Sequence, residues 1–462
     1  MTRTPNLRWL RPMSRRAMLR TAAGAAGYAL LSSTGCGSSG GSNGTPTSTW
    51  PPSLPVGTFA PSSADEAFLD ALEQAGCLYF WEQANTGNGQ VLDHAGNNLG
   101  GAMDMSTTES SIAATGFGLA ALCIAHSRGY QTHAEIVARV QTTLGFHLNS
   151  MPEENGFLYH FNDVNTGQPL TGSEVSSMDM AIFLCGVLTA RAYFNDATVT
   201  SLATQLYERV NWPWMLNGGT TLAEAWYPNT GFASGRYDTY CELMMLYLLA
   251  MGSPTFPIAA SSWDAFARPT LSYEGYTYIS SQSDPLFTHQ YSHAWFDFRN
   301  KTDAHANYFG NSIAATQAHE TFCLGYPSPA NPWYTEDYWG ITSSDFVNGY
   351  TAWGGPPAQG PIDGTVVPCA AAGSLVFLPN ECLAMLEALK ANWGAAGAWG
   401  RYGFVDAFHP TANWYCPDVL GIDQGISVLM AENLRTGLVW TTFMSNPECV
   451  QAMELAGFET QS

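Results

Sequence analysis

Two stretches of this chain are apolar almost all the way round. Met178–Tyr193 and Tyr240–Met251 place Leu, Met, Ile, Phe, Ala and Cys at nearly every helical angle. A helix with one apolar stripe can lie on a surface, but one apolar on every side must be enclosed by other helices. Further stretches with apolar residues at three- and four-residue steps run 109–128, 132–149, 174–195, 198–212, 238–252, 310–324, 374–392, 423–437 and 446–457. Another begins at Ser63-Ala64-Asp65-Glu66, with Phe68, Leu69, Leu72, Leu78 and Phe80-Trp81 on one side. Strand signals are sparse, and no alternation with crossover helices appears, which disfavours Rossmann and TIM arrangements. The joins are aromatic and rich in Gly and Pro. The expectation is an all-α fold of two concentric layers, an α/α toroid.

Composition narrows the function. Phe, Trp and Tyr make up 13% of the 462 residues, and charged residues only 12%. Whole-chain disorder is excluded, because disordered chains are poor in aromatics. A net charge of −21 repels phosphate backbones and anionic membranes. Acidic polymers are disfavoured for the same reason, so uronate-cleaving lyase chemistry fits poorly. Many flat rings and few charges suit a neutral, hydroxyl-rich ligand.

The N-terminus reads as targeting. Ser14-Arg15-Arg16-Ala17-Met18-Leu19 precedes an apolar run from Thr21 to Leu31. That order resembles a twin-arginine export signal and is too short to span a bilayer. Ser33-Thr34-Gly35-Cys36 resembles a lipoprotein processing box, with Ser33 where Leu is usual, and makes Cys36 the candidate for lipidation. The expected division is a signal at 1–36, a Ser/Gly/Pro-rich linker at 37–63 and a single catalytic domain at 64–462. Removing residues 1–35, which hold six arginines and no acids, leaves 11 basic against 38 acidic residues, or −27. No other segment reads as long and apolar enough to cross a membrane. The expected location is the periplasm or cell envelope, as a monomer. Cys123, Cys185 and Cys241 read as small buried hydrophobes. Pairing of Cys369 with Cys382, or Cys416 with Cys449, stays open, because spacing does not fix connectivity.

Several motifs fail. There is no phosphate loop, Gly116-Phe117-Gly118 lacks the later glycine of a dinucleotide fingerprint, and no G-x-S-x-G elbow is present. His289, His293 and Asp297 fall at i, i+4 and i+8 and would share a face of a helix. The surrounding aromatic and β-branched residues argue against a continuous helix, so no metal and no cofactor is expected.

In a chain this poor in charge, acids inside apolar segments stand out. Glu174, Asp179, Glu242 and Asp423 qualify. Burial raises a carboxyl pKa, and a general acid needs a raised pKa near neutrality. Each also has a plain structural account: Ser173 could cap a helix with Glu174 in its first turn, and Asp423 could cap the next. Glu242, set among Tyr, Cys, Leu and Met, is hardest to explain that way. Two carboxylates flanking a neutral sugar are the requirement of glycoside hydrolysis.

Ser111–Ala120, Gly156–Phe161, Ser173-Glu174-Val175-Ser176, Pro285–Asp297, Tyr402–Phe408 and Gly421–Gly425 occur in order across residues 66–444. Together they resemble the bacterial glucoamylase-like family, which includes glycoside hydrolase family 144, the β-1,2-glucanases. The resemblance implies an (α/α)6 barrel, a glycan cleft at one end, and hydrolysis of β-1,2-glucan, endo-acting or sophorose-releasing, with inversion. It implies Glu242 as proton donor and Glu174 or Asp423 on the base side, with Asp179 supporting. His160, His289, His293, Trp295 and Asp406 would line the cleft, and Trp226, Tyr237 and Trp339 would stack on sugar. Two departures stand out: Cys241 beside Glu242, where a polar residue is expected, and a divergent loop from Glu336 to Gly355. Alternative readings are a non-catalytic glycan-binding lipoprotein and a toroid hydrolase of another glucan linkage.

Overall fold

Side-chain caps start several of the helices. In a computed structural model that describes residues 59–282 and 285–461, Ser62 Oγ accepts from the Asp65 N–H and Asp65 Oδ2 accepts from the Ser62 N–H, at 3.2 and 2.6 Å. This reciprocal box opens α1, Ser63–Glu82. Ser111 caps α2, Ile112–Ser127, and Thr132 caps α3, His133–Asn149. Then follow α4 Ser177–Phe194, α5 Ala197–Glu208, α6 Trp212–Leu216, α7 Met244–Gly252 and α8 Tyr308–Gly325. The chain continues through α9 Pro368–Ala372, α10 Pro379–Trp393, α11 Gly421–Arg435, α12 Leu438–Phe443 and α13 Pro447–Leu455. The signal at 1–36 with Cys36, and the linker up to residue 58, lie outside the described residues.

Six buried segments touch in sequence. α2 lies on α4, α4 on α7, and α7 on the second of two consecutive 3-10 turns, Leu286–His289 and Tyr291–Ala294. Ser292 Oγ accepts from the Met245 N–H and donates to the Glu242 carbonyl, tying the second turn to α7. Gln290 Nε2 donates to Ala370 O and Ser374 Oγ, both at 2.8 Å, tying the turns to α9. α9 meets α11, and α11 returns to α2. Remaining helices flank these: α1 on α2 and α11, α5 on α4, α10 on α9, α13 on α7. α2 and α4 approach closely, where Gly116 and Gly186 meet backbone to backbone. A β-carbon on Gly186 would stand 1.9 Å from the Gly116 carbonyl oxygen.

By length and composition α4 could cross a membrane, contrary to the sequence expectation. It is instead a core helix, most of its surface covered within the protein. Each fully buried Leu, Ile or Phe on it contributes about 1.5–3 kcal/mol.

Other boundaries also move. The stretch expected as a helix from 174 begins at Ser177, because Val175–Ser176 pair as a strand with Ala225–Trp226. Its cap is Ser176, not Ser173, whose hydroxyl accepts from the Phe161 N–H. The 238–252 helix starts only at Met244, which leaves Glu242 in the turn that enters α7. The 374–392 helix starts only at Pro379, as α10, and the short α9 lies before the expected stretch. Short strands of two to four residues are numerous, and periodicity cannot register ladders that brief. They do positional work: α2, α4 and α11 are each entered from one, at Glu109–Ser111, Val175–Ser176 and Asp418–Leu420. All nine cysteines of the described residues are buried free thiols, so neither open pairing forms.

Candidate active site

The strands that lead into α2, α4 and α11 pair with loops from elsewhere in the chain. Glu109–Ser111 pair with Phe161–Asp163, and Asp418–Leu420 with His94–Gly96. The Ile112 N–H donates to His160 O, the Ser177 N–H to Glu224 O, and the Gly421 N–H to Asp93 O. The loops therefore gather where the inner helices begin, and most of the acids singled out above lie there.

Glu174, His160 and Asp179 form one connected group. His160 Nδ1 lies 3.0 Å from Glu174 Oε1, and His160 Nε2 lies 3.2 Å from Asp179 Oδ1. The Glu174 side chain is 0% exposed and that of Asp179 8%. Asp179 is the third residue of α4, and its Oδ2 accepts from Ser176 Oγ at 2.5 Å. A cleft of about 390 Å³ opens beside the group, lined by Tyr159, Leu170, Ser173, Tyr227, Asn229 and Thr230.

A second set of acids surrounds Tyr237. Burial pushes its hydroxyl pKa well up, and Glu242, Glu224, Cys241 and Asp179 push it further. Glu242 and Cys241 are buried in the turn before α7. Glu224 is the functional candidate that the sequence reading missed. Its N–H donates to Gly235 O, and its carboxylate occupies the space where a Gly235 β-carbon would stand. Burial followed by Glu174 and Glu224 likewise raises the Tyr227 hydroxyl. Its signal was present, since Leu222-Ala223-Glu224-Ala225-Trp226 is another acid in an apolar run.

Asp423 is buried as the third residue of α11. Asp406 Oδ2 accepts from the Asp345 N–H at 2.6 Å, and the Cys416 thiol donates to Asp345 Oδ2 at 3.3 Å. Asp345 belongs to the divergent 336–355 loop, where Ser344–Phe346 pair with Gly349–Thr351. Among the described residues, Asp345-Asp406-Cys416 and Asp93-His94-Glu109 are the groups whose ligating atoms lie within 4.8 Å of one another. His289, His293 and Asp297 do not converge. His289 Nδ1 is 3.3 Å from Tyr240 Oη, His293 Nε2 is 3.1 Å from Ser312 Oγ, and Asp297 holds Arg299. Burial lowers the His293 pKa to about 3, and His289 assists.

The expected sugar-facing rings divide. Trp226 is half-buried and packs on Trp214, 5.6 Å between centroids. Trp295 and Trp339 are fully buried, with Trp295 against Phe117 at 4.9 Å, so they serve the core and offer no open face. His293 is also fully enclosed.

The family described as "Putative glucoamylase" matches residues 235–447. An exo-β-1,2-glucooligosaccharide sophorohydrolase (non-reducing end) of Parabacteroides distasonis is 29% identical over 432 residues, 84% of this chain and 58% of its own length. The chain thus spans less than two thirds of that relative. An endo-β-1,2-glucanase from Chitinophaga pinensis, solved with sophorotriose and glucose, superposes with a TM-score of 0.76 at 26% identity, over 87% of this chain and 99% of its own. A Bacteroides uniformis protein of the glucoamylase description gives 0.78 at 27% identity, over 87% and 99%. These likenesses run through the helices and loops that carry Glu242, Asp406 and Asp423, so across that region the chain is similar to bacterial glucoamylase-like proteins.

Proposed function

We propose that the protein is a glycoside hydrolase acting on neutral β-1,2-glucan, endo-acting or sophorose-releasing. The observation that carries this is the gathering of Glu242, Glu224, Asp179 and Glu174 around Tyr237 and Tyr227, beside an open cleft. Buried acids beside the half-open rings of Tyr227 and Trp226 are what protonation of a glycosidic oxygen on a stacked, uncharged sugar requires, whereas Tyr237, expected to stack on sugar, is itself buried. The sophorohydrolase and β-1,2-glucanase relatives point to the linkage. Glu242 is the proton donor to the leaving oxygen. Asp423 takes a proton from the water that attacks the anomeric carbon. Asp406 and Trp226 line the sugar path, while His289, expected there, is buried against Tyr240.

The closed succession of six buried segments with flanking helices supports an (α/α)6 toroid as the finer description of the fold. The domain runs from about residue 64 to the end of the chain. The Arg15-Arg16 signal and Cys36 support export to the cell envelope and a lipid tether, on the linker that follows.

Product analysis on linear β-1,2-, β-1,3-, β-1,4- and α-1,4-glucans tests the reading. Cleavage confined to the β-1,2 polymer, and lost in Glu242→Gln by about 1,000-fold or more, is the expected result. Preference for α-1,4-glucan would overturn the linkage. Binding without cleavage by wild type and variant alike would make the protein a glycan-capturing one.

A further inference from the structure

Glu174 stands where the sequence suggests a water-activating base, yet its side chain is sealed from solvent. A general base must reach the proton it takes, directly or through one water. Glu174 Oε1 is instead engaged by His160, and its Oε2 is buried without a hydrogen-bond partner. Whatever Glu174 does, it does through that imidazole.

The imidazole is held from all sides. The His160 N–H donates to Glu174 O at 2.8 Å, and His160 O accepts from the first N–H of α2. Its ring stacks on Phe161 with centroids 3.7 Å apart. The two ring nitrogens then face two carboxylates, Glu174 and Asp179, at 3.0 and 3.2 Å. Each of those contacts needs a proton between the heavy atoms, because a bare nitrogen lone pair would repel a carboxylate oxygen. With both protons on the ring it is an imidazolium, and the group as a whole carries one negative charge. Asp179 is the member nearer solvent. Its two oxygens are fixed separately, Oδ1 by His160 and Oδ2 by the Ser176 hydroxyl, and each keeps a further lone pair for another donor. Asp179 is also among the acids that act on Tyr237 together with Glu242.

We propose that Glu174, His160 and Asp179 form a relay in which His160 is the positioning residue and Asp179 is the carboxylate that meets the substrate, accepting the hydrogen bond of a sugar hydroxyl. Glu174 is the buried counter-carboxylate that keeps the imidazole charged and oriented. This rests on the glycoside hydrolase reading for its substrate, while the relay itself is a property of the folded protein. Its consequence is that Glu174 and His160 act as one unit, so their removal does not add.

The experiment compares Glu174→Gln, His160→Gln, Asp179→Asn and the Glu174→Gln/His160→Gln double variant with wild type and Glu242→Gln on linear β-1,2-glucan. The Glu174 and His160 single variants are expected to lose about 10- to 100-fold in kcat/KM, and the double variant no more than the worse single one. Asp179→Asn is expected to lose at least about 100-fold. Nitrogen-15 spectra of the wild-type protein at neutral pH, with His160 assigned by its loss in His160→Gln, should show both ring nitrogens protonated. A Glu174→Gln enzyme as inactive as Glu242→Gln beside a nearly normal His160→Gln would overturn the proposal and make Glu174 act directly. A singly protonated His160 in wild type would overturn it as well. Should the wild type cleave no glucan, the hydrolase reading fails and the spectra still decide the relay.

Discussion

Gly235 owes its identity to Glu224. A β-carbon there would lie 2.0 Å from Glu224 Oε2, in the space the carboxylate fills, and the backbone dihedral at this position is not one that only glycine adopts. Gly235→Ala should therefore push one flexible carboxylate aside and leave the backbone in place. Steady-state kinetics on the active glucan are expected to show kcat down about tenfold. The melting temperature should stay within about 2–4 °C of wild type. An unchanged kcat would remove Glu224 from the machinery around Tyr237. At this scale the sequence was partly legible. Glu174, Glu242 and Asp423 stood out as acids in apolar runs, and Glu224 would have stood out by the same test. Asp345 could not, since Ser343-Ser344-Asp345-Phe346 looks like an ordinary polar turn until Asp406 and Cys416 are brought to it. Ring counts alone could not separate Trp226, half-open, from Trp295 and Trp339, which the core consumes.

The helices themselves were read well, because an apolar residue every third or fourth position survives any tertiary context. Their starts were not. Val175–Ser176 look helical in sequence but pair with Ala225–Trp226, a partner 50 residues away that no local pattern announces. Moving those starts matters, since it takes both acids out of helices: Glu174 stands just before the strand that leads into α4, and Glu242 in the turn that enters α7. The contact between α2 and α4 gives the sharpest test at this scale. With Gly186 against the Gly116 carbonyl, even one methyl group forces the two inner helices apart. Gly186→Ala is expected to cost about 1–3 kcal/mol in urea unfolding. A neutral result would mean that the helices slide freely at this contact.

Across the whole molecule, buried titratable groups set the response to pH, and they pull in opposite directions. Burial lowers the His147 pKa to about 4, with its Nδ1 held by Thr143 O at 2.7 Å. An unfolded imidazole takes a proton near pH 6.5, but this folded one resists until about 4, so its contribution to stability falls as pH drops through that window. His147→Gln should accordingly lose less stability than wild type between pH 7 and pH 5 in thermal unfolding. Glu320 acts the other way: burial first, then Glu381 and Glu336, raise its pKa to about 7. Its carboxyl favours the folded state in acid, and that contribution fades as pH rises from about 4.5 through about 7. Glu320→Gln should raise the melting temperature more at pH 8 than at pH 5. One question of charge remains, because a mature chain of 11 basic and 38 acidic residues has few cations to set against its clustered acids. The entry of each inner helix answers it. Asp179 and Asp423 are third residues of α4 and α11, and Glu242 stands two before α7, where amide dipoles converge with their positive ends outward. Beside the His160 imidazole at Asp179, the backbone thus supplies counter-charge spread over several helix beginnings. Removing one acid from this mouth should then leave the folded protein intact while changing its chemistry, a separation that lets each carboxylate be tested on its own.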